Sequence, residues 1–326
     1  MLLIDYLKQI PPLRLAEILK AAPVPAGVAS ELLDHLFSSQ PPHCLYFRIA
    51  SHYADVVCHL LLTPELPAEN VNRRLKEALD FCAQNLHEAA IVYNQPYHNI
   101  NAFANHSQWP HVFAKLLPSP AVTGEVIASA SRLLEHIVKL HPQAAPQLAA
   151  SILAVQLFYA ICANPHSTRA VICRHLEENH VEKLLEWTRY HHYDRLWSAM
   201  LEVLNTLFSC PHLRWEEVER FYDPQDLVLN KMVVHSTLVP ESLLLELTRH
   251  WSPEVVLGAL SNPNLSPQSI SALYESIYNS PKTWLAKFRR FHALLSNPSC
   301  PPEIKFMARL DGIWEKIERY YLSPPA

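Results

Sequence analysis

Residues 259–270 read ALSNPNLSPQSI, and residues 294–304 repeat the pattern as LLSNPSCPPEI. In each stretch an apolar run ends in Ser-Asn-Pro, and a second proline follows four residues after the first. The residue before a proline is driven out of the α region, whereas a proline in a first helical turn gives up an N–H that would have no partner. Each stretch therefore predicts a helix end, a tight joint and the start of another helix, with Ser266 as an N-cap.

Similar joints occur upstream, at residues 22–27, 62–67, 119–124, 140–146, 162–165, 209–213 and 235–240. Their leading positions are separated by 22, 23, 46, 26 and 26 residues from position 120 to position 263. The longest interval is interpreted as two units that meet near Trp187 and Thr188. One helix per 22–26 residues gives a helix pair every 45–52 residues, close to the period of roughly 40–47 residues in HEAT-type repeats.

The segment SNPNLSPQSI resembles the Asn-Pro-x-x-x-Pro-x-x-Val/Ile joint of leucine-rich repeat variants, within the wider HEAT-like class. The clear match covers residues 259–310, and weaker copies begin near residue 120. The resemblance implies a curved right-handed stack of helices that binds partners rather than catalyses a reaction. Some members carry an iron-sulfur cluster on grouped cysteines. This chain has no such group, so the cluster is not expected here.

Composition supports an ordered helical protein. The 326 residues are 49% hydrophobic and 18% charged, with 27 prolines and only four glycines. No two glycines are close together, which excludes the glycine-rich loops that hold phosphates, and no common catalytic motif is present. The sequence predicts an all-α solenoid of HEAT-like or variant-repeat helix pairs, with no enzymatic activity, no cofactor and no metal.

The chain is expected to divide near residue 118. Residues 1–118 keep amphipathic helical spacing without the regular joints, so they are interpreted as an N-terminal helical module or a degenerate repeat cap. Residues 119–326 are interpreted as the repeat solenoid.

A cytoplasmic location, or a nuclear one in a eukaryote, is expected because the start lacks a secretory leader and the seven cysteines are scattered. These cysteines are interpreted as small buried apolar residues. The uncharged stretch 142–165 is predicted to form a buried central helix, with a membrane-associated role as the alternative.

The main candidate for partner binding lies where a regular joint is missing. Aromatic and cationic side chains alternate there, a pattern typical of interface anchors, peptide grooves and base-stacking sites. The alternative is that the aromatic residues belong to the core. The candidate residues are Trp187, Arg189, Tyr190, His191, His192, Tyr193, Arg195 and Trp197.

Three further segments are weaker candidates. The polar run 93–111 is predicted to be a long loop that either binds or merely connects. Residues 281–320 hold eight lysines and arginines against four acids, and a basic patch is placed at Lys282, Lys287, Arg289 and Arg290. The segment 173–180 combines a cysteine, two histidines and acids, and is interpreted as a helix end with a buried Cys173.

Two functions follow as alternatives. The first is a protein-binding scaffold or adaptor whose helical-repeat groove docks a peptide or protein. The second is a nucleic-acid-binding or DNA-repair protein similar to the HEAT-like alkylpurine DNA glycosylases, which hold DNA in a basic groove. The formal net charge of −4 argues against the second.

Overall fold

The structure is a computed structural model that describes residues 3–40, 53–92, 109–140, 148–190, 194–281 and 283–322. Within these ranges, it does not describe the side chains of residues 85–92, 140, 148–152, 187–190, 194–200 and 318–322. No strand occurs in the ranges described, which confirms the all-α prediction. By its internal contacts the chain forms two compact units, Met1–Thr206 and Leu207–Ala326.

The described residues of unit 1 form ten helices and most of an eleventh. They are α1 (Leu3–Leu7), α2 (Pro12–Ala21), α3 (Ala26–Ser39), α4 (Tyr53–Leu61), α5 (Ala68–Val92), α6 (Trp109–Leu116), α7 (Gly124–Leu140), α8 (Leu148–Ala163), α9 (Arg169–Glu177), α10 (His180–Tyr190) and α11 (Asp194–Ser209).

Seven of the described helices of unit 1 pack in two rows. Helices α4, α6, α8 and α10 contact one another in that order, and α5, α7 and α9 form a second row beside them. Unit 1 continues through residue 118, where the sequence placed a boundary. Asn72 bridges this region, because its Nδ2 donates to Ala121 O at 2.8 Å and its Oδ1 accepts from Thr123 N at 2.8 Å.

The described helices of unit 2 are mostly shorter than those of unit 1. After α12 (Trp215–Val218) and a 3-10 turn (Glu219–Phe221) come α13 (Leu227–Val233), α14 (Glu241–Leu247), α15 (Pro253–Ser261), α16 (Pro267–Asn279), α17 (Trp284–Leu295), α18 (Pro302–Leu310) and α19 (Ile313–Leu322). Helices α13, α15, α17 and α19 contact one another in succession, while α14, α16 and α18 each pack on the helix that follows.

Buried asparagines connect the joints of unit 2. Asn262 donates through Nδ2 to Val234 O at 2.8 Å and to Ser236 O at 2.9 Å, and its Oδ1 accepts from Asn264 N. Asn297 repeats the arrangement one joint later, donating to Leu260 O at 3.0 Å and to Asn262 O at 2.7 Å. Both of these joints are therefore connected to the preceding joint through a buried asparagine side chain.

The same device occurs in unit 1 and explains the Asn-Pro motif. Asn164 donates to Leu117 O at 2.5 Å and to Ser119 O at 3.0 Å, and its Oδ1 accepts from His166 N at 2.7 Å. Asparagine supplies both the two donors and the acceptor that this position requires. The following proline prevents the helix from continuing past the joint.

The expected helix spacing is correct in one part of the chain and wrong in two others. Between residues 120 and 165 each interval holds one helix, α7 or α8. Between Ser236 and Asn262, however, 26 residues hold both α14 and α15, because these helices are only seven and nine residues long. The predicted turn near Trp187 and Thr188 is also wrong, since both residues lie within α10.

The caps agree with the sequence. The Ser266 hydroxyl accepts from Ser269 N at 3.2 Å, which confirms Ser266 as the N-cap of α16. Its own N–H donates to a carboxylate oxygen of Glu241 at 2.7 Å. Hydrogen bonding to the Ser266 side chain, followed by its backbone, lowers the pKa of Glu241. Prolines occupy the first helical turn of α15, α16 and α18, where no N–H is needed.

Five of the cysteines are buried as predicted: Cys58, Cys82, Cys162, Cys210 and Cys300. Burial raises the pKa of both the Cys58 and Cys82 thiols, so these groups stay protonated. Cys44 lies outside the described residues. The prediction that Cys173 is buried is wrong, because it lies half-exposed on the surface of α9.

The uncharged stretch forms α8, as predicted. Leu157, Phe158 and Ile161 are fully buried, while Tyr159 is 40% exposed and marks the edge of the helix that reaches solvent. Nowhere in the described ranges does a helix combine the length and the apolar character that crossing a bilayer requires.

Gly258 lies where α15 packs against the end of α13. A Cβ at this position would lie 2.4 Å from Val234 Cγ2. We expect Gly258→Ala to lower the free energy of unfolding by about 1–3 kcal/mol, the usual cost of overpacking. Gly27→Ala in α3 is the control, because a Cβ there meets nothing within 4 Å. Urea denaturation of both variants checks this, and equal stabilities would contradict it.

Candidate functional site

The partner-binding candidate between residues 187 and 197 has no described side-chain geometry. Trp187, Arg189 and Tyr190 belong to the backbone of α10, and Arg195 and Trp197 to that of α11, but their side chains lie outside the description. His191, His192 and Tyr193 lie outside the described residues altogether, as does most of the polar run 93–111. Its last residues begin α6, where Trp109 is fully buried.

The basic patch separates into three kinds of residue. Lys282 lies outside the described residues. Lys287 is buried and serves the fold, because its Nζ donates to Tyr278 O at 2.7 Å and lies 5.1 Å from the centre of the Trp284 ring. Arg289 and Arg290 instead line a cleft between α15, α17 and the turn after α14.

This cleft has a volume of about 390 Å³. A second compartment of about 500 Å³ adjoins it on the side of α16. Three residues, Arg249, His250 and Arg290, line both compartments and so lie at the waist between them. We call the two compartments together the arginine groove. The first is lined by Trp251, Pro253, Val256, Leu257, Ala286 and Arg289, and the second by Leu245, Thr248, Leu260, Ser269, Ala272, Leu273, Ser276 and Ile277.

A short turn presents the near wall of the groove. Thr248 Oγ1 donates to Leu245 O at 2.7 Å, which closes the end of α14, and Pro253 starts α15 only five residues later. Ser252 is buried beneath the turn, whereas Trp251 is 76% exposed. The turn therefore projects the residues between Thr248 and Ser252 outwards.

The polar side of the groove is positively charged. No aspartate or glutamate lines either compartment. Among the described residues, no carboxylate forms an ion pair with Arg249 or Arg290. The Arg290 guanidinium is half-buried, so part of its hydration is lost, and this burial lowers its pKa. A cation in this state favours a bound anion.

His250 adds a neutral donor to this wall. Its Nδ1 accepts from the backbone N–H of Ser252 at 3.0 Å, so the neutral ring carries its proton on Nε2. The ring of Trp251 lies 5.3 Å from that of His250 and offers an apolar face beside it. The groove can thus hold an anionic group and an apolar group side by side.

A buried polar chain in unit 1 was missed in the sequence. The His180 ring is 3.2 Å from Glu178 through Nε2, and its Nδ1 is 2.9 Å from Nδ1 of His175. Nε2 of His175 lies 2.8 Å from Ser131 Oγ. Because the carboxylate can only accept, His180 donates to Glu178, His175 donates to His180, and the Ser131 hydroxyl donates to His175.

This chain joins three helices rather than forming a reaction centre. Ser131 on α7, His175 on α9 and His180 on α10 are all buried, with at most 4% of each exposed. Each ring nitrogen of His175 and His180 already has a hydrogen-bond partner among these residues and Glu178. The segment 173–180 therefore stabilises the packing of α9 and α10 on α7.

The histidine chain predicts acid sensitivity. Burial, followed by the neighbouring His180 and Arg174, lowers the pKa of His175 from 6.5 to about 3. Below pH 6.5 the unfolded chain binds a proton at this residue while the folded chain does not, so the free energy of unfolding falls as the pH falls. We expect His175 alone to contribute a slope of up to about 1.4 kcal/mol per pH unit between pH 6.5 and pH 3, and the burial of His180, whose pKa is also lowered, adds to it.

Urea denaturation at several pH values measures this slope in the wild-type chain and in two variants. His175→Gln should reduce it by up to about 1.4 kcal/mol per pH unit, whereas His111→Gln, at an exposed position on α6, should leave it unchanged. The account of the histidine chain is wrong if both variants keep the wild-type slope.

Trp215 and the candidate metal ligands are weaker candidates for a functional site. Trp215 is half-buried and stacks on Phe208 at 6.1 Å and against Tyr222 at 5.7 Å, all within unit 2. In the part of the chain that the structure describes, no three histidine, cysteine or acidic side chains are grouped to hold a metal ion.

Comparison of the chain with protein-family models, with characterised proteins and with solved structures finds no match to any of them. The function is therefore inferred from the groove itself. Sequence reasoning singled out Arg289 and Arg290 but missed Arg249, His250 and Trp251. The signal was present, since an arginine, a histidine and a tryptophan stand together directly before Ser252-Pro253, a helix start.

Proposed function

We propose that this protein is a non-enzymatic helical-repeat scaffold that binds a segment of another protein in the arginine groove. The observation that carries the proposal is the partly buried Arg290, which forms no ion pair with a described carboxylate and lines the same groove as Arg249, where the other lining is mainly apolar. Mixed grooves of this kind give a partner both an apolar contact and a charged anchor.

The fold proposed for the scaffold is an α-solenoid of HEAT-like or variant-repeat helix pairs. Three features support it: the two rows of successive helices in unit 1, the row of second helices in unit 2, and the asparagines that bind each joint to the preceding one. Stacked repeats of this type expose long grooves because each repeat contacts only its neighbours. A cytoplasmic location belongs to the same proposal.

Nucleic acid is the second candidate ligand. The arginines and the exposed Trp251 favour it, because guanidinium groups bind phosphates and an aromatic face stacks on bases. Charge opposes it: unit 2 holds twelve lysines and arginines against thirteen acids, a formal balance of −1. Proteins that follow a nucleic-acid backbone usually present a sustained basic surface. A protein segment is therefore the better occupant.

Photo-crosslinking tests the proposal. A benzoylphenylalanine at Trp251 should give a light-dependent protein adduct in native lysate that survives nuclease and is lost with Arg290→Ala. The matched control places the same group at Phe306 on α18, which is 60% exposed and does not line the groove. Equal adducts from both positions, or none from position 251, would contradict the proposal.

A further inference from the structure

We infer that the segment bound in the arginine groove carries an acidic residue with an apolar residue on each side. This inference rests on the proposed function and specifies the chemistry of the partner. It follows from the order in which charged and apolar residues line the two compartments.

The residues at the waist of the groove favour a negatively charged group on the bound segment. Arg249, His250 and Arg290 line both compartments, and each presents a donor there without a carboxylate beside it. A carboxylate at the waist would accept from the two guanidinium groups and from His250 Nε2–H. Arginine suits this role because its planar fork matches the two oxygens of a carboxylate.

The compartments on either side select apolar neighbours. On one side lie Trp251, Pro253 and Leu257, which form an apolar wall around about 390 Å³. On the other lie Leu273 and Ile277 of α16, within about 500 Å³. Each volume accommodates a leucine-sized or aromatic side chain. A segment that crosses the waist therefore places an apolar residue in each compartment and the acid between them.

The size of the site argues for a short peptide instead of a nucleic-acid strand. The cationic side chains are concentrated at one point, whereas most of the remaining lining is apolar. A strand with a phosphate at every nucleotide would meet only this one cluster of arginines. A single carboxylate between two apolar side chains uses the whole groove.

Selection from a randomised peptide library displayed on phage tests the inference with the full chain as bait. Peptides selected on the wild-type chain should be enriched in aspartate or glutamate flanked by leucine, isoleucine or an aromatic residue. The enrichment should disappear on the Arg249→Gln/Arg290→Gln double variant. It should persist on Arg309→Gln, which removes an exposed arginine of α18 outside the groove. Circular dichroism verifies that each bait is folded.

Affinity measurements with a selected peptide and its Glu→Gln twin give the magnitude. The twin should bind about 10-fold to 100-fold more weakly, as expected when a charged hydrogen-bond partner is neutralised. A pool without acidic enrichment, or a twin of equal affinity, overturns the inference. If position 251 still crosslinks to a protein, the proposed function stands without it. Displacement of the peptide by single-stranded DNA at equal concentration also overturns the inference and favours the nucleic-acid alternative.

Discussion

Asn262→Ala is expected to lower the free energy of unfolding by about 3 kcal/mol, because it removes three hydrogen bonds from a buried joint. The amide donates to Val234 O and Ser236 O at 2.8 and 2.9 Å, and accepts from Asn264 N at 2.9 Å. Only 2% of the residue is exposed, so water does not replace these bonds. Urea denaturation followed by circular dichroism measures the loss.

The neighbouring asparagine is a matched control. Asn264 also donates two hydrogen bonds of 2.8 Å, to Thr237 O and Val239 O, but it is partly exposed. Water can therefore satisfy these carbonyls in Asn264→Ala, and the loss should stay below about 1 kcal/mol. Equal losses in Asn262→Ala and Asn264→Ala would show that burial of the joint is not what makes Asn262 important.

The Arg249→Glu/Arg290→Glu double variant is expected to weaken partner binding by about 100-fold or more. It replaces two cations at the waist of the groove by carboxylates, which would repel an acidic partner and leave its charge unpaired. Stability should change little, because neither arginine forms an ion pair with a described residue. Isothermal titration with the segment recovered by crosslinking measures the effect.

Arg309→Glu is the control for this variant. It makes the same change of charge at an exposed position of α18, outside the groove. If the loss of affinity came from net charge alone, Arg309→Glu would reproduce half of it. The groove account expects a change of less than about threefold, the effect of a distant surface charge.

The joints could be predicted because their chemistry is local. In Asn262-Pro263 and Asn297-Pro298 the proline is enough to end a helix. The helix end can therefore be predicted without knowing which helix packs beside it. The number of helices between successive joints could not be predicted in the same way. The turn from Thr248 to Ser252 contains neither glycine nor proline, and Pro253 was the only local sign that a new helix begins.

The groove is formed by the packing of helices that are distant in sequence. For this reason only some of its residues could be predicted from the sequence. Arg289 and Arg290 were predicted because they are neighbours in a basic segment, but Arg249 lies about 40 positions earlier in the sequence. Arg249 and Arg290 line the same groove because α15, which follows the turn of Arg249, packs on α17. Lys287 shows the converse: its charge looked available in the sequence, yet its Nζ binds the Tyr278 carbonyl within the fold.

Hydrogen–deuterium exchange of the full chain, with and without the segment crosslinked through position 251, tests the central claim most directly. The account predicts slower exchange of backbone amides in residues 245–257, 269–277 and 286–290 when the segment is bound, with the rest of the chain unchanged. Slower exchange confined to residues 187–197 would contradict it, and would place the partner at the aromatic and cationic segment between α10 and α11 instead.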